Sequence, residues 1–291
     1  VFTHLNKSGG STIKNMLKQY WGPRYFTYSG GKWEMGSSYA RSVAEDLAHG
    51  QTWNVIGGGY TESLRRSGAI GDKCKWFTVF RHPMTRMISA YNYCRYKGDQ
   101  LCANNIVDAK GVDLTTFAKH WGNYAMRQFV LGLLSIDDVL EYSHTDAVDA
   151  TLPHKGKKSR PTSGWYLVKL YLEYLNLPSK TEDIPESGLY AMLQPVQDLL
   201  RDHYSAIGIL EDYNTTLSLF NTALDMPGVD WHEMFGNMGQ ARVGKVSKEE
   251  KEAMLAEALT NSEIKKYMQL DLLLYDHAVE LFRLQAQAHD I

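Results

Sequence analysis

The sequence predicts an α/β fold of the P-loop-like, three-layer kind, with a mainly parallel central sheet flanked by helices. Three observations carry this. The chain opens on a short β-prone run, turns on two adjacent glycines and passes directly into helical spacing. A second run, Lys75 to Phe80, reads as a buried parallel strand and leaves through Pro83 into a helix. A third, Thr52 to Ile56, ends in the triplet Gly57-Gly58-Gly59. At 291 residues the chain is long for one domain, yet single α/β domains of this size are common. It is read as one domain over 1–291, with a helical segment at 247–288 packed on it.

Residues 1–6 alternate apolar and polar positions, so they form the first strand. Ile13, Met16, Leu17 and Tyr20 then share one helix face. Between them, Gly9 and Gly10 permit a tight turn and close backbone approach, and Ser11 and Thr12 can cap the positive end of the helix. Lys7 adds a full charge, and the product is an anion cradle. The lysine precedes the glycine pair, so the nucleoside triphosphate loop pattern fails. A plain polar strand-to-helix turn is the alternative.

Trp21 to Ser38 is rich in Gly, Tyr and Trp without a clean period and reads as a loop with a functional surface. Its aromatics suit stacking on sugar or phenolic rings, or filling a core. Ser37 to His49 is predicted helical, with Tyr39, Val43 and Leu47 inward. Three glycines after Ile56 allow close approach to a ligand, and Glu62 follows them, placed by this reading in the cleft. Arg81 ends the Lys75–Phe80 strand as Lys7 follows the first. Asp113 opens another helix, and the stretch Asn123 to Gly132 follows it. The run His154 to Pro161 is the only concentrated basic stretch, either a solvated loop or a clamp for an acidic acceptor. Residues 166–175 and 187–202 are apolar-periodic and helical. The tail from Ser247 to Ala288 is helical and opens on a capping-box spacing at Ser247-Lys248-Glu249-Glu250.

A net charge of −2 and a pI near 6.6 exclude broad attraction to nucleic acid or to a highly sulfated polymer. No apolar run reaches the length of a membrane-spanning helix. No Cys-x-x-Cys or His-Glu-x-x-His spacing is present, so no metal is expected. Three cysteines leave an odd count: Cys94 and Cys102 bracket a short polar loop, either as a disulfide suited to an oxidising compartment or as two of three free thiols.

The run His4-Leu5-Asn6-Lys7-Ser8-Gly9-Gly10-Ser11-Thr12 resembles the 5′-phosphosulfate loop of the Golgi-type carbohydrate sulfotransferases, the heparan, chondroitin and dermatan group. The run Phe77 to Tyr91, with Arg81, Pro83, Arg86 and Ser89-Ala90-Tyr91, resembles their 3′-phosphate motif. Both occur in the family's order, each at a strand end. The donor of that family, 3′-phosphoadenosine 5′-phosphosulfate (PAPS), carries anionic groups at two places, which calls for two cradles. His203 to Tyr213 resembles the family's late core strand, with Glu211 fixing structure at its end and a helix from Asn214 to Leu224. Asp271 to Phe282 resembles its closing helix. Between residues 95 and 200 the resemblance is thin.

The resemblance implies a PAPS-dependent enzyme that moves a sulfuryl group to a hydroxyl acceptor, a carbohydrate, and leaves 3′-phosphoadenosine 5′-phosphate (PAP). Lys7 stabilises the leaving phosphate, wrapped also by Ser8, Gly9, Gly10, Ser11 and Thr12; Arg81 and Ser89 hold the 3′-phosphate. Arg242 and Lys245, in a late Gly-rich loop, contact the nucleotide. Asn123 and Arg127 shape the acceptor side, or belong to a surface helix. Uronic-acid-directed relatives carry a histidine after the Thr52–Ile56 strand that is missing here, so Glu62 is placed first as base, with His4 next and Glu34 and His49 as further options. Family members are held in the Golgi membrane by an upstream anchor, so a Golgi lumen location and membrane attachment through a segment outside this chain are expected, with a cytoplasmic location as alternative. A small-molecule acceptor, a PAPS- or PAP-binding protein without transfer, and an atypical P-loop kinase requiring Mg²⁺ and ATP are the competing functions.

Overall fold

The computed structural model describes residues 1–29, 43–59, 61–66, 70, 74–97, 111–133, 186–226, 229–238 and 246–291. Its elements in order are β1 (Phe2–Thr3), α1 (Gly10–Tyr25), β2 (Phe26–Ser29), β3 (Val55–Gly58), α2 (Glu62–Arg66), β4 (Trp76–Phe80), α3 (Pro83–Lys97), α4 (Leu114–Trp121), α5 (Tyr124–Leu133), α6 (Glu186–His203), β5 (Tyr204–Ile209), α7 (Tyr213–Ala223), α8 (Trp231–Met238), α9 (Lys248–Thr260) and α10 (Ser262–Ala288). Residues 43–48 are helical as well. The fold is α/β, mostly helical, around a small sheet of order β2-β3-β1-β4-β5 in which every pairing is parallel.

The described chain forms two compact units, each assembled from separate stretches. The first takes Val1–His82, Val196–Arg242 and Leu274–Ile291 and contains the sheet. Strand alternation sorts its side chains. Phe2 and Phe77, in register across β1 and β4, stack at 5.1 Å, and Phe77 meets Phe220 of α7 and Trp231 of α8 edge-on at 5.2 and 6.0 Å. Gly208 lets α7 close on β5, because a Cβ there would stand 2.3 Å from Thr216 Cγ2. The positions between, Thr3, Trp76 and Thr78, go to the other face, and all of β4 is buried. That two-sided burial is what its unbroken apolar run anticipates.

The second unit takes Pro83–Pro195 and Val243–Leu273. Met87, Ile88, Phe117, Trp121, Ile264 and Met268 are among its core residues, drawn from α3, α4 and α10. Its polar centre is Asp271, which accepts hydrogen bonds from Arg86 Nη2 and from the N–H groups of Ala125 and Met126 at the start of α5. Arg86 lies over the rings of Trp121 and Tyr124 at 5.1 and 5.6 Å. A buried acid thus neutralises a buried base and caps a helix.

Four boundaries differ from the sequence reading. The stretch from Trp21, expected as a loop, holds the end of α1 and the edge strand β2, Phe26–Ser29, which pairs with β3 in parallel. Only Phe2 and Thr3 pair as β1; His4 N–H still bonds Gly58 O at 2.8 Å before the chain turns away. β3 covers Val55–Gly58, because pairing with β1 and β2 on both sides draws Gly57 and Gly58 into the ladder despite their poor strand propensity. The C-terminal helical segment breaks at Asn261, whose Oδ1 accepts from Glu263 and Ile264 N–H and caps α10.

Candidate anion site at the strand ends

The strand order decides where a ligand can sit. From β1 the chain goes toward β2 on one side of the sheet; from β4 it goes toward β5 on the other. Beyond the carboxyl ends of β1 and β4 the connecting segments therefore part, and such a switch point is where open parallel sheets leave a crevice. β1 and β4 are neighbours, so the segments holding Lys7 and Arg81 leave the sheet side by side.

The segment after β1 turns sharply into α1. Lys7 has φ 67° and Gly9 φ 78°, two left-handed residues flanking Ser8, after which α1 starts at Gly10. Such alternation turns consecutive N–H groups into one concavity, and the positive helix end adds to it. A lysine in this conformation is strained and persists only where its surroundings hold it. One such hold is Arg81, whose Nη1 donates to Lys7 O at 3.2 Å. Ser8 N–H bonds Leu5 O at 3.2 Å, and Thr12 N–H bonds Gly9 O at 3.0 Å. Ser8 Oγ is fully buried and meets no hydrogen-bond partner among the described residues. An unpaired buried hydroxyl is costly unless something meets it.

Bare backbone is required here. A Cβ on Gly10 would lie 2.0 Å from His4 Cδ2, and one on Gly9 2.8 Å from Leu210 Cδ1. The His4 ring, 6 % exposed, fills the space beside Gly10, and burial, then Lys14 and Lys7, push its pKa down to about 4. His4 is neutral at physiological pH, and so weakly basic a ring is a poor general base there.

Glu62 lies elsewhere than the sequence reading puts it. It opens α2, is 1 % exposed, and sits on the sheet face that carries Thr3. Tyr204 OH donates to its Oε1 at 2.5 Å and Arg65 Nε to its Oε2 at 3.4 Å; Thr3 Oγ1 joins Tyr204 OH at 2.7 Å and Thr61 Oγ1 at 2.6 Å. Burial raises the Glu62 carboxyl above its ordinary range, against the Tyr204 hydrogen bond and Arg65, and raises the Tyr204 phenol well above its own. The group is an interior cross-link between the segment after β3, β1 and β5.

Arg81 is half-buried at the end of β4, and Ser89, also half-buried, is on α3 of the second unit. Asn123 and Arg127 are interior struts of that unit, so the surface-helix alternative does not hold: Asn123 Oδ1 accepts from Leu270 and Asp271 N–H, and Arg127 Nη2 donates to Trp121 O at 2.7 Å. His49 is exposed, its Nδ1 2.7 Å from Glu45 O. Ser11 is exposed and Thr12 half-buried. Cys94 is disulfide-bonded and Cys74 is free. Cys102, Glu34, Arg242, Lys245 and the basic run 154–161 lie outside the described residues. Among the described residues, no group of three His, Cys, Asp or Glu could hold a metal ion, and no helix is long and apolar enough to cross a membrane.

Two features escape sequence reasoning. Arg86 reads as part of the phosphate motif, whereas it is buried and bound to Asp271; an acid set in the apolar run Leu270 to Leu274 is the available signal. Glu211 does more than end a strand: its Oε1 accepts from His82 N–H at 2.9 Å and its Oε2 from Tyr275 OH at 3.2 Å. A pocket of about 480 Å³, lined by Trp21, Asn54, Phe77 and Met226 among others, lies at the opposite, N-terminal ends of the strands. No protein-family model matches the chain, and no curated protein matches it.

Proposed function

We propose that the chain is a PAPS-dependent sulfotransferase with a P-loop-like, three-layer fold, acting on a hydroxyl acceptor of the carbohydrate class. One observation carries most of the weight: a left-handed Lys-Ser-Gly turn with a buried, unpaired Ser8 hydroxyl, at the switch point and beside Arg81. A turn whose glycines leave no room for a Cβ against His4 and Leu210, with a buried hydroxyl that meets no partner among the described residues, supports a phosphate-sized anion held by bare backbone. The resemblance of the two motif runs to those of the Golgi-type enzymes supplies the donor, and the disulfide at Cys94 is in keeping with a secretory lumen.

In this reading Ser8, the N–H groups of Gly9, Gly10 and Ser11, the Thr12 hydroxyl and Lys7 hold the 5′ anion, while Arg81 takes the 3′-phosphate. The donor supplies an activated sulfuryl group. Lys7 sits where negative charge grows on the departing oxygen, and a positive charge already in place there lowers the barrier without a metal. A basic residue must take the acceptor's proton.

The burial of Glu62 and His4 favours a second reading, in which the chain binds PAPS or PAP without transferring from it. Calorimetry with PAP tests what both readings share: wild type is expected to bind, and Lys7→Ala and Arg81→Ala each more weakly by about tenfold or more. Absence of PAP binding by the wild type would sink both. Transfer of label from ³⁵S-PAPS to a panel of glycans and phenols then separates them, since only the enzyme yields sulfated product.

A further inference from the structure

We propose that Glu211 is a positioning residue for the anion cradle, its carboxylate fixing the turn after β4 and, through Arg81, the loop that carries Lys7. This rests on the reading of that loop as a phosphate site. Four contacts of the first unit make one path. Tyr275 OH of α10 donates to Glu211 Oε2 at 3.2 Å, and Glu211 Oε1 accepts from His82 N–H at 2.9 Å. The adjacent Arg81 donates through Nη1 to Lys7 O at 3.2 Å. The rings of His82 and Tyr275 meet edge-on at 5.3 Å, which sets the turn sideways as well.

The arrangement has a reason. His82 is the second residue beyond β4, past the last pair Phe80 and Ile209, so no ladder partner is there to take its N–H. Glu211, in the 3₁₀ turn Leu210–Asp212 that ends β5, supplies an acceptor from the neighbouring strand. The hydrogen bond joins the two strand ends where the sheet stops joining them. Leu210, next to Glu211, stands against Gly9, so the same turn meets the cradle from a second side. The path ends on the carbonyl of a left-handed lysine, a conformation that needs external hold. Without Glu211 the turn is free to shift, and the Arg81 guanidinium with it. A charge-assisted bond to a backbone N–H is strong enough for this effect to reach the ligand.

Calorimetry with PAP on the full chain tests the inference, using Glu211→Ala, Glu211→Gln, Arg81→Ala and the double variant Glu211→Ala/Arg81→Ala. Glu211→Ala is expected to weaken PAP about five- to tenfold, and Glu211→Gln, which keeps an acceptor for His82 N–H, to restore most of the loss. Because Glu211 acts through Arg81, the double variant should bind no more weakly than Arg81→Ala alone. A merely structural role would lower the melting temperature and leave the two losses additive. Wild-type affinity in Glu211→Ala, or additive losses, overturns the positioning role while leaving the phosphate site standing. Failure of the wild type to bind PAP overturns both. If Glu211→Ala does not fold, Tyr275→Phe cuts the same path one contact further out, and is expected to weaken PAP about two- to threefold, with unchanged affinity counting against the inference.

Discussion

Burial makes the folded protein hold the Glu62 proton more tightly than the unfolded chain does, since desolvation is the first cause of its raised pKa. Its contribution to stability is therefore fully present below the ordinary carboxylate value of 4.5 and is lost as pH rises through the raised one. Glu62→Gln removes that titration. Denaturant unfolding of both proteins from acid to mildly alkaline pH should show the wild type losing ground to the variant as pH rises. His4 runs the other way: its pKa falls from 6.5 to about 4, so its share of stability is present above 6.5 and lost as pH falls toward 4. That share is about 3 kcal/mol at most, and His4→Gln should flatten the acid limb of the stability curve. A side chain's type was legible in the sequence; its exposure was not. Three glycines before Thr61 erase the periodicity that tells inside from outside, so a carboxylate facing Tyr204 reads like one facing water.

The cradle is the most legible element, because its chemistry is local: a lysine, two glycines and a helix start fix the turn within a few residues. The hold on it is less so, since His4 wedges beside Gly10 by packing that no spacing announces. Gly10→Ala should cost about 1–3 kcal/mol in stability and weaken PAP, because the new methyl and the His4 ring claim one space. His4→Ala vacates that space, so the pair should cost less than the sum of its parts, measured by chemical denaturation. The cut between α9 and α10 was not legible, because an uninterrupted helical pattern runs on either side of Asn261. The structural role of Arg86 was not legible for a similar reason: its partner Asp271 is far along the chain, and motif spacing carries nothing about such pairs.

At the scale of the molecule, a parallel sheet and both loop-bearing strands were legible, since buried strands and their glycine or proline exits leave local marks. The order β2-β3-β1-β4-β5 was not, because it is settled by pairings between distant strands. Nor were the two units, which interleave along the chain. The first unit includes Leu274–Ile291, where Gln285 bonds both Ile207 N–H and Tyr204 O along β5. A chain ending at residue 273 should therefore expose that strand and fail to refold, read as loss of the cooperative unfolding transition. The wait for β5 also has a consequence during synthesis. β4 leaves the ribosome with one neighbour, β1, and its other side stays bare until residues 204–209 follow; at about 5–20 residues per second that is many seconds. The nascent protein spends that interval as a half-built sheet with an apolar edge on offer, a state open to strand-to-strand aggregation until β5 arrives.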